Sequence, residues 1–185
     1  MRLLRFWSIR FLLCLGLVVG GVAVGQPEPP AIAVRLPFRS YNLRFSGDDV
    51  YSLDVQLHRS PTKWRGRAFG RVANLTLKED GVSGVIGAAP VNLKVREEGD
   101  ILLAEGGFLG GPVRLRFSPK ELHLYMGGCT YELAYTEGRY QGPRSCDSNL
   151  APAVQVSVPD AFGGLGPTEQ ATLLLFSLAD LDGNK

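Results

Sequence analysis

Side chains that bind metals or act as nucleophiles are scarce in this sequence. It has two histidines and three cysteines in 185 residues. His58 and His123 lie far apart, and neither has a second ligand at helical or hairpin spacing. No Gly-x-Ser-x-Gly segment is present to hold a catalytic serine on a strand–turn–helix elbow. We therefore predict no metal, no cofactor and no enzymatic activity, with both histidines at the surface; a hydrolase would need Ser, His and Asp to converge in one cleft.

Long apolar runs are also missing, apart from one stretch near the start of the chain. Phe11–Val24 carries no charge, follows Arg2, Arg5 and Arg10, and ends at Ala23-Val24-Gly25. At 14 residues it is shorter than the roughly 20 residues that span a bilayer. This layout predicts a secretory signal peptide at residues 1–25, cleaved after Gly25. An uncleaved signal anchor is the alternative.

Removal of the signal changes the charge balance. Three of the 20 Lys and Arg residues lie in the signal, so the remaining 17 basic residues face 18 acidic ones, a net charge of −1. We therefore expect neither nucleic acid nor an anionic membrane as a partner. We also expect no integral membrane insertion of the mature chain, which we place in the periplasm or outside the cell.

Two cysteines remain after the predicted cleavage, Cys129 and Cys146. An even number of cysteines in an exported chain favours a disulfide. In the loop-entropy model, a disulfide that closes the loop between these two cysteines raises the free energy of unfolding by about 3 kcal/mol. The alternative is a pair of free thiols.

Apolar and polar residues alternate with a period of two over most of the chain. Tyr51–Leu57, Val91–Val95 and Val113–Phe117 are examples. Such runs are typical of half-buried antiparallel strands. No helical period occurs before residue 165. The fold class predicted is mainly β.

Five successive segments between residues 55 and 142 repeat one pattern: an alternating strand, a polar turn, and a short strand rich in glycine. The repeat length is roughly 18 to 22 residues. Residues 66–142 contain 14 glycines. Glycine within a strand permits a sharp bend or a close backbone approach. We therefore predict an antiparallel meander of glycine-bent hairpins, closed into a barrel or folded as a sandwich; glycines that only mark loops are the alternative.

The segments flanking the repeats differ in composition. Residues 26–40 contain four prolines and are predicted to form an extended arm, followed by a β-domain at 41–160. Within that domain we read 148–152 as a linker and expect one more strand through Val154 and Val156. A loop and a helix are predicted at 161–185, with Pro167 at the first helical position. We expect this helix to cover a barrel mouth or a sheet edge.

Two surface features suggest binding. Arg65 and Arg67 share a strand face near Trp64 and could present a cationic patch for a polyanion or a sugar; we prefer a solvated hairpin whose charges oppose Glu79 and Asp80. Several aromatic residues could line the mouth of a ligand cavity, although cross-strand packing is the reading we prefer. These candidate ligand-lining residues are Trp64, Tyr125, Tyr131, Tyr135 and Tyr140.

The sequence thus favours an exported, non-enzymatic β-domain that acts as a structural or binding module. The alternative is a β-barrel that carries a small apolar ligand. The partner would be such a ligand or a component of the cell envelope. The two readings differ in whether inward side chains fill the barrel or leave a cavity.

Overall fold

Residues 28–179 form a closed barrel of 14 antiparallel strands with one helix after the last strand. The structure, a computed structural model, describes residues 28–179; the predicted signal peptide and the end of the predicted helix at Leu181 lie outside this range. The strands are β1 Ala31–Leu36, β2 Arg39–Ser46, β3 Asp49–Tyr51, β4 Val55–Arg59, β5 Lys63–Ala68, β6 Arg71–Lys78, β7 Gly81–Ile86, β8 Ala89–Glu98, β9 Ile101–Phe108, β10 Gly111–Phe117, β11 Glu121–Met126, β12 Cys129–Thr136, β13 Arg139–Cys146 and β14 Asn149–Ser157. A 3₁₀ turn, Asp160–Gly164, precedes the helix α1, Pro167–Ala179.

Each strand pairs with the next along the chain, and β1 closes the ring against β14. The closing ladder places Ala33 opposite Ser157 and Val34 opposite Val156. Closure leaves no strand edge exposed for pairing with another chain. The prediction of a mainly β meander is confirmed, and the barrel is the form it takes.

Part of the segment predicted as an extended arm is the first strand of the barrel. Ile32 and Val34 are fully buried, because they continue the inward row of the sheet. The Pro30 carbonyl accepts a hydrogen bond from the Phe45 amide at 3.0 Å. The residues read as a linker at 148–152 likewise belong to the turn after β13 and to the start of β14. Prolines masked the alternation in both segments.

Glycines bend the second strand of several hairpins at equivalent places. At Gly84, φ is +147°, and a Cβ would collide with the Asn74 carbonyl oxygen of the adjacent strand. At Gly66, φ is +153°, and a Cβ would collide with the Gln56 carbonyl. This backbone region is almost restricted to glycine. The same collision would occur at Gly106 and Gly142.

The helix lies inside the barrel, which corrects the expectation that it covers a mouth or an edge. α1 contacts β1 and β2 on one wall and β6 to β9 on the opposite wall. Every residue from Ala171 to Leu178 is buried. Two of its buried hydroxyls donate within the helix, Thr172 to the Thr168 carbonyl at 2.6 Å and Ser177 to the Leu173 carbonyl at 2.8 Å. A helix that is apolar all round is suited to such a position.

The dimensions of the barrel explain why it holds a helix. Eight strands enclose a space that side chains alone can fill. Fourteen strands about 4.8 Å apart, tilted by about 40°, close a circle roughly 28 Å across. Once the inward side chains of the wall are counted, this leaves room for a helix about 10 Å wide. The 13 residues of α1 extend for about 20 Å, which is close to the height of the tilted strands.

Contacts at both ends hold α1 along the barrel axis. Near its start, Arg59 Nη1 donates to Glu169 Oε1 at 3.2 Å, beside the turns at 60–62 and 79–80. Near its end, the Phe176 ring lies 5.3 Å from the Phe108 ring and 6.0 Å from the Phe69 ring. The helix therefore runs from one end of the barrel to the other. Among residues 28–179, no helix has the length and apolar character needed to cross a bilayer.

Replacement of a strand glycine tests the bend. We expect Gly84→Ala to lower the free energy of unfolding by at least about 2 kcal/mol, because the added Cβ meets backbone at a φ that alanine avoids. Gly163→Ala is the matched control, since a Cβ there meets nothing within 4 Å, and its effect should stay within about 0.5 kcal/mol. Urea unfolding measures both. Equal effects of the two substitutions would contradict the role assigned to Gly84.

Truncation of a helix side chain tests whether α1 belongs to the core. Phe176→Ala removes a ring packed against two others, and we expect a loss of about 3–5 kcal/mol in the free energy of unfolding. Leu150→Ala removes a side chain that is 89% exposed and should change stability by less than about 0.5 kcal/mol. Equilibrium unfolding is the measurement. A Phe176 variant as stable as the Leu150 variant would place the helix outside the core.

Candidate functional site

The five aromatic residues predicted to line a ligand site do not form one site. Trp64 and Tyr131 point into the barrel and are fully buried. Tyr125 lies on the outer face and is 39% exposed. Tyr135 and Tyr140 face each other across β12 and β13, with their ring centroids 5.0 Å apart.

Tyr140 belongs to an aromatic cluster at the end of the barrel where α1 begins. The Phe117 ring lies 5.2 Å from the Tyr140 ring and 5.7 Å from the Phe162 ring. The Tyr140 hydroxyl donates to the Ser118 carbonyl at 2.8 Å. Ser118 in turn orders the β10–β11 turn, because its hydroxyl accepts the Glu121 amide at 3.2 Å. The cluster thus joins the barrel wall to the segment that leads into the helix.

Burial changes the acidity of this tyrosine. Desolvation, with a smaller contribution from the neighbouring Tyr135, raises the pKa of Tyr140 to about 12. The phenol is only 5% exposed and already donates a hydrogen bond, so the neutral form is the one that fits the fold.

The interior near the helix offers little free volume. A void lined by Val34, Tyr41, Phe176 and neighbouring side chains measures about 10 Å³, roughly the minimum for one water molecule. The Nε1 atom of Trp64, on strand β5, is also buried, and it has no hydrogen-bond partner among residues 28–179. Helix α1 therefore occupies the space that a carried ligand would need.

One charged side chain also points inward. Arg144 is 9% exposed, and its guanidinium carbon lies 5.8 Å from the centroid of the Tyr131 ring, its neighbour on β12. This is a cation–π contact in a desolvated setting. Close to it, the predicted disulfide is present: Cys129 and Cys146 are directly opposite each other and are bonded at 2.02 Å.

The predicted cationic patch on β5 lacks its aromatic member. Arg65 and Arg67 point outward, whereas Trp64 points into the barrel. Arg65 lies between His58 and Asn74 in the cross-strand register, and Arg67 Nη2 donates to the Gly70 carbonyl at 2.7 Å. The expected opposition of these arginines to Glu79 and Asp80 is therefore not found in the strand register.

A different set of cations lines a shallow groove on the outer face of β8 to β12, with a volume of about 310 Å³. Neighbouring strands contribute residues at the same level, which form two rows across the sheet. We call this the outer groove. Its first row is Lys94, Glu105, Arg114, Tyr125 and Thr130, and its second is Arg96, Leu103, Arg116 and His123.

The cations of the outer groove differ in how far they are neutralised. Arg96 donates to Glu98 at 3.0 Å and to Glu105 at 3.3 Å. Lys94 and Arg114 flank Glu105 in the register, but neither forms an ion pair with any residue between 28 and 179. Four Lys and Arg side chains line the groove. Arg96 and Arg116 are paired with carboxylates, which leaves Lys94 and Arg114 on either side of Glu105.

The rim of the groove next to Arg116 holds a small charge network. Arg116 Nε donates to Glu121 Oε1 at 3.0 Å, and His123 Nε2 lies 3.2 Å from Glu121 Oε2. The hydrogen bond from Arg116, followed by the one from His123, holds the pKa of the Glu121 carboxyl below its usual value. This carboxylate therefore orients two basic side chains of the rim.

Sequence reasoning identified the charged rows but not the groove. Lys94 and Arg96 fall in or next to one alternating run, Val91–Val95, and Arg114 and Arg116 fall in another, Val113–Phe117, with the two pairs at least 18 positions apart. Only the register through β9 shows that the two pairs flank one strand and share a surface. The signal in the sequence is a pair of cations at positions i and i+2 in the first strand of each of two successive hairpins, β8–β9 and β10–β11.

The histidines are on separate parts of the wall. His58 lies on β4 and His123 on β11, both with exposed side chains. Between residues 28 and 179, no group of three His, Cys, Asp or Glu side chains is arranged to hold a metal ion. Comparisons with protein-family models, with curated proteins and with solved structures found no match to the chain.

The raised pKa of Tyr140 predicts a loss of stability in alkali. The phenol titrates near pH 10 in the unfolded chain and at about 12 in the folded one. Between these values the unfolded state releases a proton that the folded state keeps. The free energy of unfolding should therefore fall as pH rises, by up to about 1.4 kcal/mol per pH unit from this group.

Urea unfolding from pH 10 to pH 12 measures the effect of Tyr140 when wild type is compared with Tyr140→Phe. The variant should lose part of the alkaline decline, although it starts less stable by about 1 kcal/mol because the hydrogen bond to Ser118 is gone. Tyr125→Phe, at an exposed position, should keep the full decline. Parallel curves for wild type and Tyr140→Phe would refute the assignment.

Proposed function

We propose that this protein is an exported, non-enzymatic β-barrel that acts as a binding module through its outer surface. The observation that carries the proposal is the division of the barrel into a filled interior and a charged exterior groove. Helix α1 and the inward apolar row pack the lumen, while four cations converge on the outer groove. A barrel filled in this way supports binding on its outside.

Two features favour export. The disulfide Cys129–Cys146 belongs to the kind of covalent link that persists in oxidising compartments outside the cytosol. The sequence contributes the basic, apolar and small-residue layout of residues 1–25, which is typical of a secretory signal. We therefore place the mature chain in the periplasm or outside the cell.

The distribution of apolar residues favours a barrel that faces water. Most inward positions on the long strands are apolar, with Arg144 on β13 as an exception, whereas outward positions carry charged and polar residues such as Asn92, Lys94 and Arg96 on β8. A lipid-embedded barrel has the reverse arrangement, with an apolar band on the outside. This pattern supports a partner that meets the protein in an aqueous space.

The alternative function, transport of a small apolar ligand in the lumen, requires α1 to leave its place. Eight consecutive residues of α1 would then lose their apolar surroundings. The outer groove is accessible without any rearrangement. For this reason we favour surface binding over a carrier function.

Expression of the whole chain in a bacterial host tests the proposal. We expect the protein in the exported fraction, with Gln26 as its first residue and with Cys129 and Cys146 oxidised. Native mass spectrometry of the same sample should show no small molecule in stoichiometric amount. Val18→Arg, which interrupts the predicted apolar stretch, should keep the chain in the cytosol as the matched control.

Two results would overturn the proposal. Wild-type protein that stays uncleaved in the cytosol with free thiols would contradict export. A co-purified apolar compound at one equivalent would favour the lumen carrier instead.

A further inference from the structure

The outer groove combines an apolar floor with a cationic rim. Both rows contain an apolar side chain on the outer face: the Tyr125 ring lies beside Arg114 in the first row, and Leu103 lies between Arg96 and Arg116 in the second. The aliphatic stems of Arg96 and Arg116 flank Leu103 on either side. Arginine side chains can pack their stems on such a surface while their heads remain in water. A fitting ligand therefore has an apolar face and carries negative charge.

Two of the cations are available for a ligand. Lys94 and Arg114 have no ion pair with any residue in the described part of the chain, although Glu105 lies between them. Arg114 is the cross-strand neighbour of Tyr125, so a guanidinium group and an aromatic ring stand side by side. A guanidinium group binds a carboxylate with two parallel hydrogen bonds, and the ring offers a flat surface next to it.

The shape of the groove selects among anionic ligands. It crosses five strands, a distance of about 20 Å at the usual strand spacing, and it is open along its length. An acyl chain would need an enclosed apolar sleeve, which an open groove does not supply. An acidic peptide cannot add itself as a strand, because the closed barrel has no free edge. A chain of sugar rings fits, since each ring has an apolar C–H face and polar edges.

We infer that the outer groove binds an acidic glycan, a sugar chain bearing carboxylates. One ring stacks on Tyr125, and carboxylates pair with Arg114 and Lys94. The inference rests on the proposed function, since it names the ligand class of the same binding surface. It is compatible with a chain whose mature net charge is close to zero, because it needs only two neighbouring cations, Lys94 and Arg114, that form no ion pair among residues 28–179.

Calorimetric titration of the exported, oxidised protein with tetragalacturonate tests the inference. We expect saturable binding at low ionic strength that weakens as salt is added. The fully methyl-esterified tetramer has the same rings without the charges and should bind at least about tenfold more weakly. Oligothymidylate and anionic phosphatidylglycerol vesicles should also bind more weakly than the acidic sugar.

Paired variants localise the binding. The double variant Lys94→Gln/Arg114→Gln should bind tetragalacturonate at least about tenfold more weakly than wild type. Arg65→Gln/Arg67→Gln removes the same charge from β5 outside the groove and should change affinity less than about twofold. Tyr125→Ala should weaken binding, whereas Tyr135→Ala, at a similarly exposed ring outside the groove, should not. All four variants alter exposed side chains and should unfold near the wild-type midpoint.

Several outcomes would overturn the inference. These are no binding by the oxidised wild-type protein, equal binding of the esterified tetramer, equal weakening by the two double variants, or tighter binding of oligothymidylate or vesicles. Because the sample has already been exported and oxidised, each of these results leaves export intact and removes only the glycan assignment.

Discussion

The closed ring of 14 strands imposes one requirement on the rest of the chain: something must fill a lumen that side chains alone cannot fill. Helix α1 meets this requirement, because it is apolar on all sides and about as long as the barrel is tall. The helix depends equally on the barrel, since a free segment with this composition would expose a continuous apolar surface to water. Wall and helix therefore form one core, which contains residues from both.

Closure depends on where the backbone can bend. Gly66 and Gly84 occupy a φ region that other residues avoid, at the same place in successive hairpins. Each lets its strand approach a neighbouring carbonyl that any Cβ would strike. The repeated bend curves the meander until β1 meets β14. The disulfide then links β12 to β13 in the wall.

The sequence predicts the wall of this barrel well and its interior poorly. Alternation reveals strands such as β8 and β10, because it is a local feature, and the even number of cysteines after the predicted signal peptide indicates the Cys129–Cys146 link. The position of α1 depends on strand number, which no single hairpin encodes, so the helix was expected at a mouth. The outer groove was missed for a related reason: the cations of β8 and β10 meet only through the register with β9. The strand β1 was missed because prolines flank it on both sides, Pro30 before it and Pro37 after it.

The proposed binding function is assigned to the outer face because helix α1 and the inward side chains fill the interior. Hydrogen exchange of the backbone amides tests the central claim most directly, namely that α1 is part of the core of the barrel. The account predicts that amides from Ala171 to Leu178 exchange as slowly as those of β8 and β9, through global unfolding. Fast exchange of these helix amides while the strands stay protected would contradict it.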